Sequence, residues 1–269
     1  MKHAQGCPEV ENRLVAPLAC FSRLDLETAG GKGANLGELV RAGFPVPAGF
    51  VITTPAYEVF VEHNGLQEIV AREQPAGTSE TIRRAFEAAP IPDQIEQRIL
   101  AAYQALGGGA VAVRSSATAE DLPEAAFAGQ QETYLNVIGR PAVLDAVRRC
   151  WASLWTERAI AYRQRQGIDS AGVKLAVVVQ RMAPAEVAGV MFTANPVTGA
   201  RQEVWVDASP GLGEAIVSGL VTPDHYVIRR EWGTWHIAGR RMGKREVVIR
   251  PAAGGPGPPG GRGTPRWGR

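Results

Sequence analysis

The residues best suited to chemistry lie in a glycine-rich segment from Gly30 to Glu38, which reads GGKGANLGE. Small residues allow backbone N–H groups to approach an anion, and the start of a following helix adds partial positive charge. Lys32 contributes a full positive charge at the same place. The segment is not a Walker A loop, which has the order GxxxxGK followed by Ser or Thr. It predicts a phosphate-binding turn or, equally, an exposed lysine on a tight turn.

A second candidate site begins where a short apolar run ends, in the segment VRSSATAED from Val113 to Asp121. Arg114 offers a planar fork of donors to phosphate oxygens, and the Ser and Thr hydroxyls that follow can complete the cradle. The next segment, FAGQQET from Phe127 to Thr133, reads as a loop hinged at Gly129 that re-enters a strand. The alternative is an ordinary loop with a capping serine.

Three further segments carry weaker signals. Gln180 closes an apolar run, where its amide suits the hydrogen-bonding edge of a base, although a residue that simply leaves the core has the same pattern. The segment TANPVTG, from Thr193 to Gly199, is a turn by composition. Glu214 follows GLG and predicts a partner for a basic residue or a metal, or else a first-turn glutamate favoured by the helix dipole.

The histidines, acidic residues and cysteines add no site of their own. Four histidines share no motif, which predicts surface or packing roles, and no acidic pair after Glu214 has the pattern of a magnesium clamp. Three widely separated cysteines form no CxxC pair. This pattern predicts buried or idle thiols in a reducing cytosol.

These segments must be held by helices and strands whose patterns are also present. Strands are predicted at 44–53, 110–114, 132–138, 174–182, 187–193, 203–207, 226–231 and 234–238. Helices are predicted at 34–42, 54–64, 79–88, 92–106, 141–166 and 213–218. The run LAVVVQ is typical of a strand that is covered on both faces. Because the two kinds of element alternate, the expected fold class is α/β or α+β.

Composition excludes several classes of protein. The 269 residues are 45% hydrophobic and 21% charged, as in an ordinary globular protein. The net charge of +2 depends on arginines and lysines near the C-terminal end, so a nucleic-acid partner is not expected. The first residues lack an apolar signal core, and no run approaches the ~20 apolar residues that span a bilayer. A cytoplasmic protein without a membrane partner is predicted.

The segment from Pro251 to Arg269 is different in kind, because twelve of its nineteen residues are Gly or Pro. Proline lacks the backbone donor and glycine loses much entropy on ordering, so such a segment builds neither core nor sheet. A natural disordered linker is one interpretation. A frame-shifted translation of GC-rich DNA is another, and it is favoured because Gly, Pro and Arg codons are all rich in G and C.

Taken together and in this order, these segments resemble the N-terminal ATP-binding domain of the pyruvate phosphate dikinase and phosphoenolpyruvate synthase family, which includes the rifampicin phosphotransferases. The resemblance runs from about Leu24 to Ile228, and five segments together are far more specific than any one alone. The matching segments are GGKGANLGELVRAGFPVPAGFVIT, AVRSSATAEDLPEAAFAGQQETYLNV, VVVQRM, GVMFTANPVTG and DASPGLGEAIVSGLVTPDHYVI.

The resemblance implies an ATP-grasp-like domain of two lobes, with ATP and Mg²⁺ bound between them. Lys32 and Arg114 would hold phosphates. Gly129 and Thr133 would belong to a loop that closes over those phosphates, and Gln180 would lie near the base. In such enzymes a histidine on a separate swivelling domain or chain takes the phosphoryl group from ATP. That phosphohistidine then serves pyruvate or, in the rifampicin branch, a rifamycin.

The sequence also departs from the family pattern. The family's domain continues to an acidic DIEWA-like strand and a QSRP-like ending, and its transfer histidine lies in a GGxTSHAA-like string; this sequence has none of the three. The expectation is therefore a C-terminally incomplete domain without a catalytic residue of its own. It comprises a lobe at 1–108, an ATP-grasp-like portion at 109–250 and the tail at 251–269.

Four functional interpretations stay open at this point. The first is the ATP-binding portion of a phosphoenolpyruvate synthase-like (pyruvate, water dikinase) phosphotransferase. The second is a fragment like a rifampicin phosphotransferase, to which GKGANLGE and FTANPVTG are slightly nearer. A non-catalytic nucleotide-binding module and a gene remnant are the third and fourth.

Overall fold

A computed structural model describes residues 7, 13–72, 79–118, 132–167, 172–244 and 247–251 of the chain. These residues form two compact units, the first ending at Met182 and the second beginning at Ala183. The boundary expected between residues 108 and 109 falls inside the first unit, because strands from both sides of it pair in one sheet. All of the Gly/Pro-rich tail except Pro251 lies outside the described residues, so the interpretation of the tail stays a prediction.

The first unit contains a five-stranded sheet with the order β1-β2-β5-β3-β4, in which every neighbouring pair is antiparallel. Its strands are β1 (Val15–Pro17), β2 (Gly49–Ile52), β3 (Val111–Ala117), β4 (Thr133–Val137) and β5 (Leu175–Arg181). The expected double coverage of the LAVVVQ run is confirmed. Val177 and Val179 pack into a core on one face of β5, and Ala176 and Val178 pack into a core on the other.

Seven helices accompany this sheet among the described residues of the first unit. They are α1 (Leu26–Arg41), α2 (Thr54–His63), α3 (Leu66–Ala71), α4 (Ser79–Ala88), α5 (Asp93–Ala105), α6 (Arg140–Ala152) and α7 (Glu157–Gln166). The bounds of α4 match the prediction, and those of α5 differ from it by one residue at each end. The short α3 was not predicted, because it lacks a long enough apolar pattern.

The larger core lies between one face of the sheet and helices α2, α4, α5 and α6. Its centre is aromatic, with the Phe60 and Trp151 rings 4.5 Å apart and Phe86 5.9 Å from Phe60. All three side chains are fully buried. Aromatic rings of this size dominate the energetics of a core, since each removes about 150 to 250 Å² from water.

Helix α1 covers the opposite face of the sheet through a smaller core. Ala29 packs there with Val51, Ala176 and Val178, and all four are buried. The helical pattern predicted at 34–42 is the second part of α1, because the backbone of Gly30 is non-helical and divides the helix. The glycine turn therefore lies within α1, and the sequence pattern did not reveal the helical turn before it.

Two other predictions of local structure need correction. Strand β3 continues through Ser115 to Ala117, which were expected in a loop, because these residues pair with Leu175 to Val177 of β5. The single helix predicted at 141–166 is two helices separated by a 3₁₀ turn at Ser153–Trp155. The Thr156 hydroxyl accepts a hydrogen bond from the Ala159 backbone N–H, so Thr156 caps a new helix there.

The second unit is built on a four-stranded antiparallel sheet with the order β6-β7-β8-β9. Its elements are β6 (Val187–Phe192), β7 (Glu203–Pro210), the short helix α8 (Glu214–Val217), β8 (Asp224–Glu231) and β9 (Thr234–Arg241). The hairpin predicted at Trp232 and Gly233 is confirmed. Both residues have positive φ, 54° and 82°, as a two-residue turn with the twist of the strands requires.

The cysteine expectation is wrong for two of the three residues. Cys7 and Cys20 form a disulfide, and the Cys150 thiol alone is reduced and buried, as expected. Among the described helices, none is both long and apolar enough to cross a bilayer.

Candidate functional site

The glycine turn of α1 lies directly against strand β3. Gly30 has a φ of 66°, a left-handed conformation that glycine adopts without steric cost. A Cβ added to Gly30 would lie 2.1 Å from the Ser116 carbonyl oxygen. Both the conformation and the close approach therefore require glycine at this position.

The Ser116 hydroxyl joins the two sides of this turn. It donates to the Ala29 carbonyl at 2.8 Å and accepts from the Gly33 backbone N–H at 3.0 Å. Ser116 is fully buried, and it is 83 residues from Gly33 in the chain. The first two motifs predicted from the sequence are thus brought into direct contact.

The strand register places Arg114 and Thr133 on the same face as α1. Arg114 is two residues before Ser116, and it lies opposite Thr133 of β4 and Val178 of β5. Directly opposed residues point to the same face of a sheet, and Val178 belongs to the core under α1. Arg114 is half-buried and Thr133 is exposed, so both lie at the accessible edge of this face.

Lys32 lies within the turn that Ser116 bridges, between Gly30 and Gly33, and it is half-buried. Burial raises the pKa of the Cys150 thiol, the Glu132 carboxylate raises it further, and Arg149 and Lys32 oppose the rise. Lys32 and Glu132 are therefore close enough to influence one thiol.

Gln180 shares the face but is engaged in the fold. It lies opposite Ala112 of β3 and Gly49 of β2, two residues along β5 from Val178. Its side-chain amide donates to the Pro47 carbonyl at 3.0 Å, and the residue is only 8% exposed. In this arrangement Gln180 fixes the segment before β2, and its predicted role at a base stays a prediction.

The serines next to Arg114 serve the fold rather than an open cradle. Ser115 and Ser116 are both buried, and the Ser115 hydroxyl donates to the Glu132 carbonyl at 3.3 Å. The expectation that these two hydroxyls bind phosphate is therefore wrong. Gly129 lies outside the described residues, so its predicted place in a closing loop stays a prediction.

In the second unit, the NPVTG segment forms the predicted turn. The Asn195 side-chain oxygen accepts from the backbone N–H groups of Val197 and Thr198 at 2.9 and 3.0 Å. The Asn195 amide donates to Glu203 at 2.7 Å, and Arg229 donates to the same carboxylate at 2.7 Å. Hydrogen bonds from Asn195 and then Arg229 lower the pKa of Glu203 below its ordinary value. A charged carboxylate thus anchors the turn.

The structure also reveals a pair that the sequence did not predict. His225 on β8 and Asp207 on β7 lie opposite each other, with Nδ1 and Oδ1 2.7 Å apart. Trp205 meets the His225 ring edge-on at 4.8 Å, and Arg241 lies opposite His225 on β9. These four residues line a cavity of about 610 Å³ on this sheet. The strand register brings them together, and no local motif indicates it.

A magnesium site needs several oxygen ligands close together. Mg²⁺ prefers oxygen ligands, chiefly carboxylates and phosphates. In the described parts of both units, no three His, Cys, Asp or Glu side chains converge as metal ligands. Glu214 is exposed in the first turn of α8. The described side chains therefore do not fit a dedicated protein-held metal.

The arrangement in the first unit is suited to anion binding. Arg114 and the Thr133 hydroxyl lie on one face of the sheet, and the glycine turn that contains the cationic Lys32 contacts the same strand through Ser116. Half-buried cations attract phosphate more strongly than fully solvated ones, because the surrounding dielectric is lower.

Comparison with known proteins places most of the chain in one family. Residues 26–256 match the family described as pyruvate phosphate dikinase, AMP/ATP-binding domain. The chain belongs to this family. Lys32, Arg114, Gly129, Thr133 and Gln180 all lie within the matched residues.

Several relatives within the family are similar over most of the chain. The phosphoenolpyruvate synthase of Pyrococcus furiosus is 44% identical over 85% of this chain and 34% of its own length. That of Aeropyrum pernix is 46% identical over 82% of this chain and 29% of its own length. A rifampicin phosphotransferase of a Streptomyces species is 47% identical over 82% of this chain and 27% of its own length. The chain thus spans about a third or less of the length of these relatives.

Proposed function

We propose that this chain is the ATP-binding portion of a phosphoenolpyruvate synthase-like phosphotransferase, in which a phosphoryl group passes from ATP to a histidine on a separate domain or chain. The observation that carries the proposal is the direct contact between the glycine turn that contains Lys32 and the strand that carries Arg114, which lies opposite Thr133. Family membership names the nucleotide, and the residues supply the charge that a polyphosphate needs.

In this proposal each side chain has a distinct chemical role. Lys32 acts as a compact charge on phosphate oxygens, and Arg114 offers a planar fork that binds two oxygens at once. Thr133 donates its hydroxyl at the start of β4, next to the loop that contains Gly129. Gln180 lies further along the same face, toward the base. Lobes of an ATP-grasp-like domain would enclose the nucleotide, which enters as its magnesium complex with the metal held largely by phosphates.

The molecule that accepts the phosphoryl group from the histidine is a separate question. Identity to phosphoenolpyruvate synthases, 44% and 46%, is close to that of the rifampicin phosphotransferase, 47%. These values support ATP binding, which both kinds of enzyme need, without selecting pyruvate or a rifamycin. A fragment of the rifampicin phosphotransferase kind is therefore the second candidate.

A cytoplasmic location is part of the same proposal, because ATP is made and used there. The Cys7–Cys20 disulfide argues against this location, since disulfides are rare in reducing compartments. Recovery of the protein from cells under conditions that block thiol exchange would show whether the bond exists in vivo.

Isothermal titration calorimetry of the purified chain with Mg-ATP tests the proposal. We expect saturable binding with a dissociation constant in the micromolar range, and a cooperative thermal unfolding transition that shifts upward with ATP. A chain that unfolds without a cooperative transition would support the gene-remnant interpretation. A folded chain that releases no heat with ATP, and gains no thermal stability from it, would refute the proposed function.

A further inference from the structure

Ser116 combines complete burial with contacts to both sides of the glycine turn. Its hydroxyl bonds the Ala29 carbonyl before the turn and the Gly33 N–H after it, at 2.8 and 3.0 Å. Its own carbonyl oxygen occupies the space that a Gly30 side chain would need. One residue of β3 therefore constrains the turn through its side chain and its backbone.

We propose that Ser116 is a positioning residue for phosphate binding, which acts by holding Lys32 at a fixed place relative to Arg114. The inference rests on the proposed ATP-binding function. Lys32 lies within the bridged segment, between Gly30 and Gly33. Arg114 lies two residues before Ser116 on the same strand and the same face. The bridge thus joins the two cationic residues through a short and rigid path.

The bridge also determines which groups of the turn remain for a ligand. The Gly33 N–H is already bound to the Ser116 hydroxyl, so it is engaged inside the protein. Recognition of phosphate then falls to the Lys32 ammonium more than to this amide. Replacement of Ser116 by Ala would remove a partner from the Ala29 carbonyl and the Gly33 N–H together. The turn would lose its fixed geometry, although no group that touches the ligand would be removed.

A purely structural role for Ser116 makes a different prediction. A buried serine that only stabilises the fold would lower the stability of the protein and leave the Lys32 contribution to ATP binding intact. A positioning residue loses its effect once Lys32 is gone. A double-mutant cycle separates these two cases, because coupling between the residues appears as non-additive losses.

The experiment measures Mg-ATP affinity by calorimetry for the wild type, Ser116→Ala, Lys32→Ala and the double variant. The matched control is Ser153→Ala, since Ser153 is also buried and its hydroxyl donates at 2.6 Å to the carbonyl of Cys150, which belongs to the core on the face of the sheet opposite α1. All titrations are run at a temperature at which each variant is folded by circular dichroism. If Ser116→Ala does not fold, Ser116→Cys replaces it, because a thiol keeps the shape with weaker hydrogen bonding.

We expect Ser116→Ala to weaken ATP binding about tenfold, whereas the same change in the Lys32→Ala background weakens it less than about twofold further. Ser153→Ala should keep wild-type affinity. Equal losses in both backgrounds, or an unchanged affinity in Ser116→Ala, would overturn the inference while the proposed function stands. A wild-type chain that does not bind ATP would overturn the proposed function and this inference with it.

Discussion

At the scale of single side chains, Lys32 and Arg114 are the residues on which the proposed nucleotide binding is expected to depend most. Each is half-buried, so its charge is less screened than that of a surface residue. Their types and local motifs indicated phosphate chemistry. Ser115 and Ser116 were expected to share that role, but their burial assigns them to the fold.

Replacement of either cation should weaken ATP binding. Lys32→Ala and Arg114→Ala are each expected to lose about 1 to 3 kcal/mol of binding free energy, the scale of a hydrogen bond to a charged group. Calorimetric titration with Mg-ATP measures the loss. Lys174→Ala is the matched control, because the partly exposed Lys174 side chain pairs with Glu58 outside the proposed site. Unchanged affinity in both site variants would remove the assignment of this face as the phosphate site.

At the scale of elements, the glycine turn inside α1 is the feature that brings the first two motifs together. It needs a left-handed residue and a close approach to β3, and Gly30 alone meets both needs. Gly43, just after the same helix, also has a positive φ of 82°, but no atom lies within 4 Å of its added Cβ. Alanine substitutions at the two glycines therefore separate the cost of the left-handed conformation from the cost of the steric clash.

Gly30→Ala should destabilise the protein far more than Gly43→Ala. The control bears only the left-handed penalty of about 1 to 2 kcal/mol. Gly30→Ala adds a clash with the Ser116 carbonyl oxygen, so the total loss should exceed about 3 kcal/mol. Urea denaturation followed by circular dichroism gives both free energies of unfolding. Equal losses of unfolding free energy in the two variants would mean that the turn moves away from β3 without an energetic cost.

The turn that follows β6 should make the second unit sensitive to acid. The pKa of Glu203 is lowered in the folded state, so its contribution is fully present above the ordinary value of 4.5 and is lost as the pH falls through the folded value. Unfolding measured between neutral pH and about pH 3 should show declining stability. Glu203→Gln should be less stable at neutral pH and should show a shallower decline. An identical pH profile in the variant would exclude Glu203 as a contributor.

At the scale of the whole molecule, apolar surface is unequally distributed between the two units. The first unit has two buried cores on either side of its sheet, whereas the larger apolar residues of the second unit are often exposed. Trp151 is fully buried in the first unit, and Trp232 at the β8–β9 turn is fully exposed. Stability of the first unit should therefore depend on its aromatic centre.

Trp151→Ala is expected to destabilise the first unit by about 3 to 5 kcal/mol, since it leaves a cavity beside Phe60 and Tyr57. Trp232→Ala should change the free energy of unfolding by less than about 0.5 kcal/mol, because it removes no buried contact. Denaturation with guanidinium, followed by far-ultraviolet circular dichroism, compares the two. A small loss of unfolding free energy in Trp151→Ala would show that neighbouring side chains fill the space of the missing ring.

The sequence by itself indicated the family and most elements, and it led to the hypothesis of a phosphate site. Local signals suffice for these, because glycines, caps and periodicity act over a few residues. Helix α4, strand β5 and the Trp232–Gly233 hairpin were predictable for this reason. The break between α6 and α7 was missed, because their apolar patterns run on as one and only the cap at Thr156 divides them.

Only the tertiary structure decided which distant residues meet. The pairing of β3 with β5 and β4 sets Arg114 beside Thr133, and the Ser116 hydroxyl holds the turn that contains Lys32 against β3. The same kind of pairing joins His225 to Asp207 in the second unit. The tertiary structure also shows that Ser116, which was expected to be a phosphate ligand, links the two motifs through its hydroxyl. Such contacts depend on strand register and helix packing. Because these are properties of the whole folded chain, no short segment of the sequence predicts them.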